Sequence, residues 1–140
     1  MTTREQLAAI AQQWIMYGWQ KGDMAAVYAM YAPEFVDVSS PTGGHGSRDD
    51  NIGEIKKLYA AFPDFYAIIE DLVLDVEAGK VAIRWSAFGT HQGRFLDFPP
   101  SGRRILFRGI ETLHVINGYI IQRAGEWDEG NILRQLASRS

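Results

Sequence analysis

The sequence predicts an α+β domain, with helices packed on one face of a long-stranded, mostly antiparallel sheet. Three observations lead there. Apolar side chains recur at helical spacing through roughly the first half of the chain. The second half alternates with the period of strands, and Asn117-Gly118 separates two of the alternating runs. Helices gathered ahead of long strands are the pattern of a sheet covered on one side. A curved sheet closed in this way predicts a pocket between the two layers.

Thr3-Arg4-Glu5-Gln6 has the form of a capping box, and Leu7, Ala11, Trp14, Ile15 and Gly18 follow at helical spacing. Lys21-Gly22 ends that helix and Asp23 caps a second, on which Met24, Val27, Tyr28 and Tyr31 share a face before Pro33 stops it. Phe35-Val36-Asp37-Val38 reads as a short strand. A turn-rich loop, Ser39 to Ser47, holds Pro41, three glycines and His45. Asp49 or Asp50 is the expected cap of a third helix, carrying Ile52, Ile55, Leu58 and Phe62 up to Pro63. Tyr66 to Val76 alternates weakly and turns at Glu77-Ala78-Gly79-Lys80. Beyond the turn, Val81, Ile83, Trp85 and Ala87 take one face of a strand, and Arg84, Ser86 and Phe88 the other. Gly89 to Arg103 is loop-like. A long strand, Ile105 to Ile116, turns at Asn117-Gly118 and returns as Tyr119 to Trp127; Asn-Gly between alternating runs is the strongest short-range hairpin signal.

The chain has 140 residues, the length of one domain, and residues 1–140 read as a single unit without linker or repeat. Seven Phe, six Tyr and four Trp are plentiful for this length, and aromatic side chains both fill cores and line ligand pockets. Fourteen basic and seventeen acidic residues give a net charge of −3 with no basic run, so the electrostatic footprint of a nucleic-acid binder is missing. The absence of cysteine excludes disulfides, thiolate nucleophiles and Cys-based metal sites. The three histidines lack a ligand spacing, so no metal is expected. No apolar run approaches the ~20 residues of a membrane span, and a cytoplasmic location is the default expectation.

Several stretches, taken in order, resemble the SnoaL-like polyketide cyclases of the nuclear transport factor two-like superfamily. They are Lys21-Gly22-Asp23 to Ala32-Pro33-Glu34-Phe35, Ala61-Phe62-Pro63-Asp64, Trp85 to Gly93, Pro99-Pro100-Ser101-Gly102-Arg103-Arg104, Asn117-Gly118-Tyr119-Ile120, and Trp127-Asp128 to Leu133-Arg134-Gln135-Leu136. The resemblance implies a cone-shaped α+β barrel: three N-terminal helices against a strongly curved sheet, often dimerising through its outer face. It also implies aldol-type ring closure without metal or organic cofactor, driven by an acidic side chain and a histidine in the pocket. A register anchored on Leu133-Arg134-Gln135-Leu136 puts the cyclases' aspartate at Gly125. One anchored on Asn117-Gly118 puts the partner histidine at Glu111. Both identities are altered here.

Glu111 is the first candidate for acid/base work. It shares a strand face with Phe107, Gly109, Leu113 and Val115, and a carboxylate buried among apolar neighbours is driven toward neutrality unless a cation compensates. That cation is available in Arg123, across the hairpin on the face expected to hold Ile121, Gly125 and Trp127; the pair then has a purely structural reading as well. Glu126 is the nearest carboxylate to Gly125, but one residue along a strand it faces the other side unless a bulge intervenes. Asp128 is a candidate for ligand contact or support of the base, and equally for the cap of a C-terminal helix from Glu129 onward. His91 is a candidate proton shuttle, or the pin of a turn between glycines. Asp37 is a polar pocket residue or the anchor of the following loop. His45 lies in a loop that either covers the pocket mouth or is simply exposed, and His114 points outward or to a dimer interface. Trp14, Tyr17, Tyr31, Phe62, Trp85 and Trp127 are candidates for the ligand-contacting wall, each also an ordinary core side chain.

The leading expectation is a cofactor-free cyclase or isomerase acting on a small hydrophobic, carbonyl-containing ligand. Glu111 would take the proton, and Asp128, Glu126 or His91 would serve the oxygen. The alternative is a non-catalytic module of the same fold, a homodimer that binds a small hydrophobic molecule or a partner. A third possibility, epoxide hydrolysis as in limonene epoxide hydrolase relatives, needs an acid–arginine–acid cluster, for which Asp37, Arg123 and Asp128 are the available residues.

Overall fold

The computed structural model describes residues 2–39 and 46–138. Helix α1 (Arg4–Trp14) opens on the expected capping box: the Gln6 N–H donates to the Thr3 hydroxyl (3.1 Å), and the Thr3 N–H donates to the Gln6 side chain (2.9 Å). Its buried stripe is Leu7, Ala11 and Trp14. The backbone then widens without a break into a π-helix, Ile15–Lys21, which ends on Gly22 in the left-handed region (φ +63). The wider i→i+5 spacing changes which residues face the sheet, and such segments favour functional positions. The Tyr59 hydroxyl donates to the carbonyl of Gly18 inside it (2.9 Å), and burial pushes that phenol up to about 12.

Helix α2 (Met24–Tyr28) is shorter than its apolar spacing predicts. Tyr31, expected on that helix, instead begins strand β1 (Tyr31–Asp37), and Pro33 sits within the strand rather than stopping a helix. An edge strand tolerates the missing N–H, and β1 is at the edge. Helix α3 (Arg48–Ala61) is capped by Ser47 with Asp50 as its reciprocal partner, rather than by Asp49 or Asp50 alone. Strands β2 (Tyr66–Asp75), β3 (Lys80–Thr90), β4 (Arg104–Ile116) and β5 (Tyr119–Trp127) follow, and α4 (Glu129–Ala137) closes the chain.

The five strands form one sheet in the order β1-β5-β4-β3-β2. All neighbours are antiparallel except β1 and β5, which run parallel. The period of two is clearest in β4: Ile105, Phe107, Glu111, Leu113 and Val115 are buried, while Leu106, Arg108, Ile110 and Thr112 are exposed. Helices α1 and α3 cover the inner face through Leu7, Trp14, Ile55 and Leu58, which share one core with Ile83, Phe107 and Leu113.

Register shifts in β1, β2 and β5 bend the sheet around that core. The shift in β5 corrects one expectation. Ile120 is fully buried opposite Val115, and Ile121, expected on the inner face, is displaced to a half-buried position. Past the bulge the inner face resumes as expected, with Gly125 opposite Glu111 and Trp127 opposite Gly109.

Candidate functional site

The inner face brings together side chains from three strands around one guanidinium. Arg123 on β5 donates through Nη1 to Asp37 Oδ2 (2.7 Å) on β1 and through Nη2 to Glu111 Oε2 (3.1 Å) on β4. Parallel pairing of β1 with β5 sets Asp37 beside Arg123, and hairpin pairing sets Glu111 two residues from the register of Arg123. Glu111 is 2 % exposed, Asp37 6 %, and the Arg123 side chain 15 %. Two carboxylates around one arginine leave the cluster one formal negative charge in a water-poor interior.

Each carboxylate has further donors. The Trp14 indole N–H, on the last residue of α1, donates to Glu111 Oε1. Asn51 Nδ2 on α3 donates to Asp37 Oδ2 (2.9 Å), and the Tyr31 hydroxyl donates to Asn51 Oδ1. The Ser39 hydroxyl and N–H both donate to Asp37 Oδ1 (2.5 and 2.9 Å), while the Ser39 hydroxyl accepts from the Gly125 N–H (2.9 Å). Burial on its own would lower the pKa of Arg123, but Glu111 and then Asp37 outweigh it and hold the guanidinium above its ordinary value. Burial pushes the Tyr31 phenol up, a rise that Arg123 partly opposes. Tyr31 is therefore a neutral donor here. The Nε–H of Arg123 and the indole N–H of Trp19 are buried with no acceptor among the described residues. The Trp19 ring lies 6.0 Å from the Arg123 guanidinium carbon.

The other candidates are distributed differently. Glu126 is exposed opposite exposed Ile110, on the outer face, because no bulge separates it from Gly125. Asp128 is exposed and caps α4, accepting the Asn131 N–H (3.1 Å). Neither joins the Glu111 cluster, and in the acid–arginine–acid arrangement Glu111 stands where Asp128 was expected. His91 is fully buried, with Nδ1 2.9 Å from the Ser101 hydroxyl and its ring stacked on Phe62 at 5.5 Å. Its backbone exchanges two 2.8 Å hydrogen bonds with Gly102 and Arg103, so it pins the loop between β3 and β4. Burial lowers its pKa. His45 lies outside the described residues.

The aromatic candidates fill the interior. Trp14 packs edge-on against Tyr31 and Trp19, and Phe62 lies among His91, Phe95 and Phe107. Trp127 stacks on Phe107, and Tyr17 and Trp85 pack against the core half-buried. Trp14 is unexposed and Glu111 only 2 % exposed, so the carboxylate is enclosed among the described residues. Two surface grooves among the described residues, of about 440 and 320 Å³, lie elsewhere, one against Gln6, Ile10 and Asn117, the other against Lys21, Tyr59 and Pro63. Three members of the network escaped the sequence reading: Asn51, Ser39 and Trp19. Asn51 carried the one usable signal, an amide beside Ile52 on the helix face that packs inward.

A curved sheet closed by helices, with a charged cluster on its otherwise apolar inner face, defines a small cone-shaped α+β protein. The chain belongs to the SnoaL-like polyketide cyclase family, whose model matches residues 9–136. Among solved structures it is similar to IdmH from Streptomyces antibioticus, a candidate polyketide cyclase, at 26 % identity and a TM-score of 0.84, with 95 % of this chain and 99 % of that one covered. It shares its fold with AclR from Streptomyces galilaeus, a candidate hydroxylase (21 % identity, TM-score 0.86, covering 96 % and 82 %). The same holds for a candidate polyketide cyclase from Acidithiobacillus ferrooxidans (24 % identity, TM-score 0.81, 97 % of each chain). No curated protein matches the chain. No helix among the described residues is long and apolar enough to cross a membrane.

Proposed function

We propose that this protein performs cofactor-free acid/base chemistry on a small hydrophobic, carbonyl-containing ligand, at the cluster of Asp37, Arg123 and Glu111. The observation that carries this reading is a buried guanidinium shared by two carboxylates from different strands. A carboxylate has about four acceptor positions, and two donors occupy those of Glu111, so it keeps lone pairs for a proton. Glu111 takes the proton α to a carbonyl, and the electron pair moves onto the carbonyl oxygen. The buried N–H groups of Arg123 Nε and Trp19, which lack acceptors among the described residues, suit that oxygen. The new enolate carbon attacks a second carbonyl of the same molecule, and the proton held on Glu111 passes to the resulting alkoxide.

Exchange of α-protons for deuterium in a small aromatic ketone, followed by NMR, tests this reading. Glu111→Gln is expected to slow exchange by at least ~10²-fold, the usual weight of a positioned base, while thermal unfolding stays cooperative. Equal exchange in the variant removes Glu111 from the chemistry. Retained binding of an apolar fluorophore, with no exchange in either protein, supports the non-catalytic alternative.

The same cluster favours a second reading, water activation for epoxide opening, because Tyr31 and Asn51 add polar groups beside Asp37. Diol formation from a small cyclic epoxide, lost in Asp37→Asn, distinguishes it. We also propose a homodimer through the outer face, where Ile68, Val73, Leu106 and Ile110 are exposed. Sedimentation as a monomer at micromolar concentration would remove that proposal.

A further inference from the structure

Gly125 has no conformational reason to be glycine. It is absent from the positive-φ glycines, which among the described residues are Gly22, Gly79, Gly102 and Gly118. In the interior of a strand, an alanine would ordinarily be preferred. The reason is spatial. A Cβ placed on Gly125 would lie 2.5 Å from Arg123 Nη2, 2.9 Å from its Cζ and 3.2 Å from its Nη1. All three contacts are with the guanidinium, and all are closer than carbon tolerates without a shift. Arg123 is two residues back on the same strand face, so its side chain lies along β5 and its fork rests flat over position 125.

Ordinarily the end of an arginine moves cheaply. Here it does not, because Nη1 is held by Asp37 and Nη2 by Glu111. Lifting the fork strips the cation from two buried carboxylates at once. The backbone of Gly125 supports the other end of the bridge too: its N–H donates to the Ser39 hydroxyl, which donates to Asp37.

We propose that Gly125 is a positioning residue, the seat of the Arg123 guanidinium, and that any side chain at 125 excludes the Asp37–Arg123–Glu111 bridge. A carboxylate at 125 and an arginine bridge at 123 are then alternative ways of furnishing the same interior, and this chain has the second. The proposal deepens the reading of the cluster as the reacting site, but its geometry stands whether or not the cluster turns over a substrate.

A double-mutant cycle tests it on the full chain. Gly125→Ala is expected to lower the thermal midpoint by roughly 5 °C or more, the shift of an ordinary destabilising substitution in a domain of this size. The same change in an Arg123→Met/Glu111→Gln background, which removes the fork and one of the two charges it neutralises, is expected to cost no more than ~2 °C. An equal loss in both backgrounds overturns the seat. A second measurement needs only the folded single variant. The Arg123 Nε–H correlation in a ¹⁵N spectrum, assigned by its loss in Arg123→Met, is expected to shift or vanish in Gly125→Ala; an unmoved signal also overturns the proposal. If the coupling appears while Glu111→Gln leaves proton exchange untouched, the seat holds and the catalytic reading fails.

Discussion

The sheet carries two arginine–carboxylate arrangements, one on each face, with similar distances and opposite surroundings. On the outer face Arg84 on β3 meets Asp71 on β2, with Nε at 2.8 Å and Nη2 at 2.7 Å from Oδ2, and both side chains are more than half exposed. On the inner face Arg123 meets Asp37 at 2.7 Å and Glu111 at 3.1 Å, nearly out of water. The difference lies in what removal leaves behind. Water replaces the partner of an exposed ion, whereas nothing replaces the partner of a buried one. Position relative to the sheet, not bond length, decides which arrangement the fold depends on.

The largest expected effect comes from the inner face. Arg123→Met keeps the aliphatic packing and removes the charge, leaving Asp37 and Glu111 buried without their cation. The expected loss is about 3–5 kcal/mol, the usual cost of breaking a buried pair from one side. Denaturant titration measures it. Adding Glu111→Gln to Arg123→Met removes one of the stranded charges and is expected to restore part of the loss. A double variant no more stable than Arg123→Met would show that the inner arrangement behaves like the outer one.

That contrast marks how far the sequence was legible. The alternation of β4 put Glu111 inward, the Asn117-Gly118 turn set the hairpin, and together they made the Glu111–Arg123 pairing readable in advance. Helix α1 began where Thr3 and Gln6 said it would. These are local signals, each decided within a few residues. The remainder of the cluster depends on contacts that no local pattern encodes. Asp37 reaches Arg123 because β1 pairs parallel to β5, eighty-six residues away. Tyr31 joins because apolar spacing that reads as helix is overridden by that pairing. Trp14, a plausible pocket wall by composition, turned out to be a hydrogen-bond donor to Glu111 across ninety-seven residues. Glu126 and Gly125 differ by one position, and the absence of a bulge between them put the carboxylate outside and left the inside to the arginine.

A buried histidine sharpens the same contrast without touching either ion pair. Burial lowers the pKa of His91 in the folded protein, while the unfolded chain keeps a value of about 6.5. Above that pH both states are neutral and the full stability is present. As the pH falls below it, the unfolded chain takes up a proton that the folded protein resists, so stability declines toward the folded pKa. His91→Gln, retaining a polar partner for Ser101, is expected to flatten this decline. Thermal midpoints at pH 7.5 and 5.5 read it as a smaller difference in the variant than in the parent. An equal difference would assign the acid-side loss to the carboxylates instead.

The smallest effect is expected on the outer face. Arg84→Ala removes an ion pair that water and salt already screen, and the loss in stability should not exceed about 1 kcal/mol. High salt should shrink even that, since the Debye length falls from about 10 Å at 0.1 M to about 3 Å at 1 M. The interest of this variant lies in a larger loss. Arg84 and Asp71 pair across β2 and β3, the strands that also carry exposed Ile68 and Val73. If a second copy covers that face, the pair is no longer exposed, and removing its arginine would cost as a buried pair does. A loss that grows with protein concentration would therefore report the covered face, while a small, salt-sensitive and concentration-independent loss would mark the outer pair as an ordinary surface contact.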